Sequence, residues 1–131
     1  MKIIPLTAVT AAMGIVTSLG HAATIQKVMA SGSTLAVNHF VSPAPDCSSQ
    51  GQVVIRLTRP PSHGDVRFVE TSAFTNLQPN LPSSHCITQK LKGMSVQYKP
   101  ARGYIGTDSF SIDVIFPVGS DRINDYEINV K

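Results

Sequence analysis

Cys47 and Cys86 are the only thiols in this chain of 131 residues. A pair of thiols can close a disulfide, pass electrons or hold a soft metal ion. Neither lies in a Cys-x-x-Cys, the spacing of redox pairs and of many zinc sites. His39, His63 and His85 add nitrogen donors, and Met29 and Met94 add thioethers, so a copper or zinc site has candidate ligands. No two of these histidines stand two or four positions apart, the spacings at which one strand or helix face presents both. Asp108, Asp113, Asp121 and Asp125 offer carboxylates to calcium, without the D-x-D or EF-hand spacing that gathers several oxygens at one point. The spacings predict no metal and no cofactor.

Catalytic groupings are scarcer still. No serine sits in Gly-x-Ser-x-Gly, and Glu70 and Glu127 are the only glutamates available for paired-carboxylate chemistry. No glycine-rich loop precedes a helix pattern, so phosphate cradling has no basis. The expectation is a protein that is not an enzyme.

The elements that position these residues begin after residue 22. Residues 1–22 carry Lys2, an apolar run from Ile3 to about Val16, and Gly20-His21-Ala22, the layout of a cleaved export signal. Without cleavage the same stretch would act as a membrane anchor. Residues 23–131 then form one domain, in an exported chain that stays in a periplasm or is secreted. In an oxidising compartment an intramolecular disulfide is the simplest fate for two thiols, with a redox pair or metal site as the alternative. The chain's formal charge of +3 is small and its basic residues are dispersed, which predicts no nucleic-acid surface.

Period-2 alternation dominates the mature part. Val53, Ile55 and Leu57 share one face of their strand, as do Met94, Val96 and Tyr98, then Phe110, Ile112, Val114 and Phe116, and finally Tyr126, Ile128 and Val130. Asp113 falls on the opposite, wet face. Weaker strands are expected at 24–29, 34–40, 64–69 and 86–92, which makes eight, with "KG" at 92–93 as a turn. One apolar and one polar face per strand is the signature of paired antiparallel sheets. The polar stretch from Glu70 to His85 is too long for a hairpin turn, and is either a crossover between sheets or a recognition loop. Phe74, Leu77 and Leu81 are its candidate contact residues.

The segment "YKPARGYIGTDSF" combines turn formers with a following alternating strand. Pro100 ends one strand, Gly103 and Gly106 can take positive φ, Tyr104 can lay its ring over the end of a sandwich, and Asp108 can accept nearby amides. Pro61, His63, Gly64 and Val66, followed by Tyr98, Pro100, Gly103, Tyr104, Gly106, Asp108 and Phe110, resemble the bacterial immunoglobulin-like, cadherin-like repeat domains of secreted and surface proteins. The resemblance covers approximately residues 52–130. It implies an all-β, immunoglobulin-like (cadherin-like) Greek-key β-sandwich, here with one disulfide, and fixes no ligand. The chain departs from that pattern in the long 70–92 region and in its cysteine pair. The expected function is an exported β-sandwich acting through contacts with a protein or cell-envelope component. A small-ligand or metal-binding periplasmic protein using His39, His63 or His85 is the alternative.

Overall fold

A computed structural model describes residues 2–5, 14–15 and 23–131. The export signal expected over 1–22 lies largely outside these residues. Alternation translates directly into strands: β1 (Ala23–Met29), β2 (Leu35–Phe40), β3 (Val54–Arg59), β4 (Gly64–Ala73), β5 (Leu91–Pro100), β6 (Gly106–Ile115) and β7 (Asp121–Val130). One sheet runs β1-β7-β6-β3 and the other β2-β5-β4. All neighbours are antiparallel except β1, which lies parallel to β7.

The core lies between the two sheets. Phe110, Ile112 and Val114 of β6 and Ile128 and Val130 of β7 lose all contact with solvent, as do Val96 and Tyr98 of β5 facing them. The Phe110 ring stacks on Tyr98 at 5.9 Å and on Tyr126 at 4.9 Å, so one aromatic column joins the layers. Two asparagines, Asn38 and Asn124, donate to the buried Tyr126 hydroxyl. Burial pushes that phenol's pKa up, against the pull of the two hydrogen bonds.

Several expectations are corrected. The described residues hold seven strands, because 86–92 does not form one of its own. A 3-10 turn, Ser84–Thr88, holds Cys86 in the interior, and β5 starts at Leu91. Lys92-Gly93 is no turn but the interior of β5. Gly93 serves close approach instead: a Cβ there would stand 2.2 Å from the Phe40 carbonyl oxygen, where the chain leaving β2 crosses β5. The excursion begins at Phe74 rather than Glu70, since β4 continues to Ala73 with Glu70 paired to Met94 and Ala73 to Leu91. Val53, just before β3, is buried and Ile55 packs on the core, but Leu57 is exposed on an edge strand where the register slips. Asp113 lies on the outer face as expected, but only partly exposed.

At one end of the sandwich the corner after β5 is closed by its own residues. Gly103 and Gly106 have φ of 77° and 139°, which an L side chain resists. The Tyr104 hydroxyl donates to the Thr107 carbonyl at 2.7 Å, and its ring lies flat on His63 at 4.3 Å. Asp108, almost fully buried, accepts from the amides of Ser62, His63 and Ser109 and from the Tyr98 hydroxyl. This carboxylate ties the β3–β4 turn to β5 and β6.

Candidate functional site

The opposite end carries the β2–β3 loop (41–53), the β4–β5 loop (74–90) and the β6–β7 turn (116–120). Cys47 and Cys86 are joined by a disulfide with their Cα atoms 5.6 Å apart, which fastens the first loop to the second. Beneath it a second apolar cluster forms from Val41, Cys86 and Leu91, with Leu77 packed against it. Polar groups stitch the loops to β2: Thr75 donates to the His39 carbonyl at 3.0 Å, and His39 Nε2 donates to the Leu91 carbonyl at 2.8 Å. That bond places a hydrogen on Nε2, and the sealed Nδ1 has no protein partner.

Between the three loops lies a groove of about 460 Å³, a volume ordinary for ligand sites. Phe40 and Phe116 meet edge to face at 6.5 Å in its lining. Leu77 and Leu81 come from one loop and Val118 from another; Leu81 and Val118 are 41% and 62% exposed, so apolar surface is offered to solvent. The Arg122 guanidinium lies over the Phe116 ring, 5.9 Å from its centre. Among the described residues of the lining, His39 and Arg122 are the only ionisable side chains, and none is a carboxylate. Ser42, Gln50, Asn76, Gln78 and Ser120 stand among the apolar side chains, so the groove suits an occupant with both apolar and polar parts and with negative charge near Arg122.

The residues singled out in the sequence are only partly assembled here. Leu77 and Leu81 line the groove, whereas Phe74 stands apart from it, 61% exposed, with the Lys90 ammonium 5.9 Å from its ring centre. His39 is in the groove, His63 at the far end, and His85 beside the disulfide. Phe116, Val118 and Arg122 are groove residues that sequence reasoning missed: Phe116 reads as core and "PVGSD" as a plain turn. The one available signal is Val118, an apolar residue in a hairpin turn with no strand face to occupy.

Of the four aspartates considered for calcium, Asp108 serves the distant corner and Asp125 accepts a hydrogen bond from Ser111. Asp113 and Asp121 face each other on the outer side of the β1-β7-β6-β3 sheet. Burial first, then hydrogen bonding with Asp121 and its charge, push the Asp113 carboxyl above its ordinary pKa, with Arg56 opposing. An acid with a raised folded pKa stabilises the fold below its ordinary value, and that contribution is lost as pH rises through the raised one. Asp113→Asn is accordingly expected to melt higher than the parent at pH 7, the gap vanishing near pH 3; equal melting temperatures at pH 7 would refute the strain.

No known family, curated protein or solved structure matches this chain. The chemistry of the groove is the ground on which a function can rest. Among the described residues, no helix is long and apolar enough to cross a membrane.

Proposed function

We propose that this chain is an exported, non-enzymatic immunoglobulin-like module that captures an apolar segment with an acidic flank, carried by a protein of the cell envelope. With the strands lettered in chain order, β2-β5-β4 corresponds to B-E-D and β7-β6-β3 to G-F-C of that architecture, the first strand joining the G edge. The β2–β3 and β6–β7 loops then take the B–C and F–G positions, the end at which sandwiches of this class present recognition loops. The supporting observation is the groove itself: open, built by three loops, with apolar side chains (Phe40, Leu77, Leu81, Phe116, Val118) set among polar ones, and with Arg122 but no carboxylate among its described lining residues.

A displayed peptide library selected against the full chain tests this reading. Enriched peptides are expected to combine apolar residues with a flanking Asp or Glu. Val118→Asp, on an exposed turn, should weaken them at least about tenfold, which corresponds to roughly 1.4 kcal/mol, without changing the melting temperature. Arg122→Glu should move the preference to basic flanks. Selection that yields no binder, or binders indifferent to both substitutions, would remove the groove as the site.

A further inference from the structure

We infer that Cys47, Cys86 and His85 form a latent site for a thiophilic metal ion, Cu(I) or Zn(II), that opens when the disulfide is reduced. Among the described residues this is the one group of three metal-ligating side chains close enough to share an ion: Sγ of Cys47, Sγ of Cys86 and a ring nitrogen of His85 all lie within 4.8 Å of one another. His85 Nε2 is already 3.7 Å from Cys86 Sγ. Around a tetrahedral ion with sulfur at about 2.3 Å and nitrogen at about 2.0 Å, neighbouring donors stand roughly 3.5–3.8 Å apart. The Cys86–His85 distance already fits, and the sulfur-to-sulfur distance must widen once the bond between them is broken. Two thiolates and an imidazole are the soft to borderline set that these ions select.

The scaffold holds the donors by bonds that do not involve sulfur. Cys47 sits in the left-handed region, at φ 67°, in a turn closed by its amide on the Ala44 carbonyl at 2.8 Å and by the Ala44 amide on the Ser48 carbonyl at 2.7 Å. Asp46 accepts from the Ser48 amide and hydroxyl in the same turn. Cys86 is on the 3-10 turn, its amide bonded to the Ser83 carbonyl at 2.9 Å, and is wholly buried. His85, next to it, is exposed, so an ion reaches the sulfurs from solvent past the imidazole.

The chemistry balances with a dithiol reductant. It supplies two electrons and two protons, its own sulfurs become a disulfide, and Cys47 and Cys86 become thiols. The ion then takes two thiolate lone pairs and the Nε2 lone pair of His85, releasing two protons to water, with the imidazole proton on Nδ1. The site is independent of the groove's ligand, and its test does not require one.

The test is a titration of the full chain with Co(II) and then Zn(II), and under anaerobic conditions with Cu(I), before and after reduction by a phosphine. Reduced protein is expected to bind one ion, with thiolate-to-cobalt charge-transfer absorption that zinc abolishes; oxidised protein should bind none. His85→Ala, whose disulfide and oxidised melting temperature remain as in the parent, should weaken the reduced site by roughly 10–100-fold or more, judged by what loss of mere outer partners costs metal sites. Absence of the charge-transfer band, or equal affinity in His85→Ala, overturns the inference. Should reduction alone unfold the loops, as near-ultraviolet dichroism would report, one equivalent of Zn(II) must restore the folded signal; a chain that stays unfolded with zinc also overturns it.

Discussion

Asp108→Ala is expected to lower the stability of the domain by about 4 kcal/mol, near the limit reached by single substitutions. The carboxylate receives the Tyr98 hydroxyl at 2.6 Å and the amides of Ser62, His63 and Ser109 at 3.0, 3.1 and 2.9 Å. Tyr98 is wholly buried, so its hydroxyl has no water to replace the lost acceptor. Burial, and next the bond to Asp108, already hold the Tyr98 phenol far above its ordinary pKa. An orphaned buried hydroxyl costs roughly 1–3 kcal/mol. The turn amides add less, because Ser62 and His63 are exposed and can recruit water. The remainder comes from the void left by the side chain and from a corner no longer tied to β6. A thermal melt should show a drop of roughly 15 °C for a domain of this size. Tyr98→Phe in the same background should recover part of the loss, since it removes the hydroxyl that was stranded. A drop below about 4 °C, equivalent to roughly 1 kcal/mol, would mean that the carboxylate is not the tie described here.

Removing the cross-link is the second large effect. Cys47→Ala with Cys86→Ala frees two points separated by 39 residues in sequence, which the chain-entropy treatment values at roughly 4 kcal/mol. Cys86 is fully buried against Val41 and Leu91, so its truncation also opens space in the smaller cluster. The damage should concentrate where that cluster supports the loops. In hydrogen exchange, amides of 41–53 and 74–90 are expected to lose protection first, while those of β5, β6 and β7 persist because the main core does not include the sulfurs. The melting temperature should fall by roughly 10–15 °C, and peptide capture by the groove should vanish with its wall. A melting temperature within about 3 °C of the parent, less than 1 kcal/mol on the same scale, would contradict this, as would uniform loss of protection across both sheets.

Strands that cross the main core were legible because their alternation is uninterrupted: Phe110, Ile112 and Val114, or Tyr126, Ile128 and Val130, leave no second register that buries as much. Backbone chemistry of the corner was also readable, since Pro100, Gly103, Gly106 and Asp108 each carry a local conformational reason. Residues 84–93 were not legible. "CITQKLK" alternates like a strand, yet Cys86 is committed to a partner 39 positions away and Gly93 to a crossing chain, and neither constraint is local. The same limit hid the groove. Phe40, Leu81 and Val118 belong to three separate segments, and only the packing of the sheets makes them neighbours. Val37 gave no warning that β2 would slip register beside it, which turns Asn38 inward to the Tyr126 hydroxyl.

The parallel pairing of β1 with β7 has a consequence for assembly. Ala23 opposes Asn124 and Met29 opposes Val130, so the first described strand has the last as its sole neighbour in the sheet. Among the described strands β1 is made first and has no strand partner until β7 exists. The outer rim of the larger sheet stays unfinished in every shorter chain, and closing it links positions about a hundred residues apart, the kind of contact that slows folding. The smaller sheet and the β3–β6 pair meet no such delay, so the β1 rim is expected to be the last part of the sandwich to set.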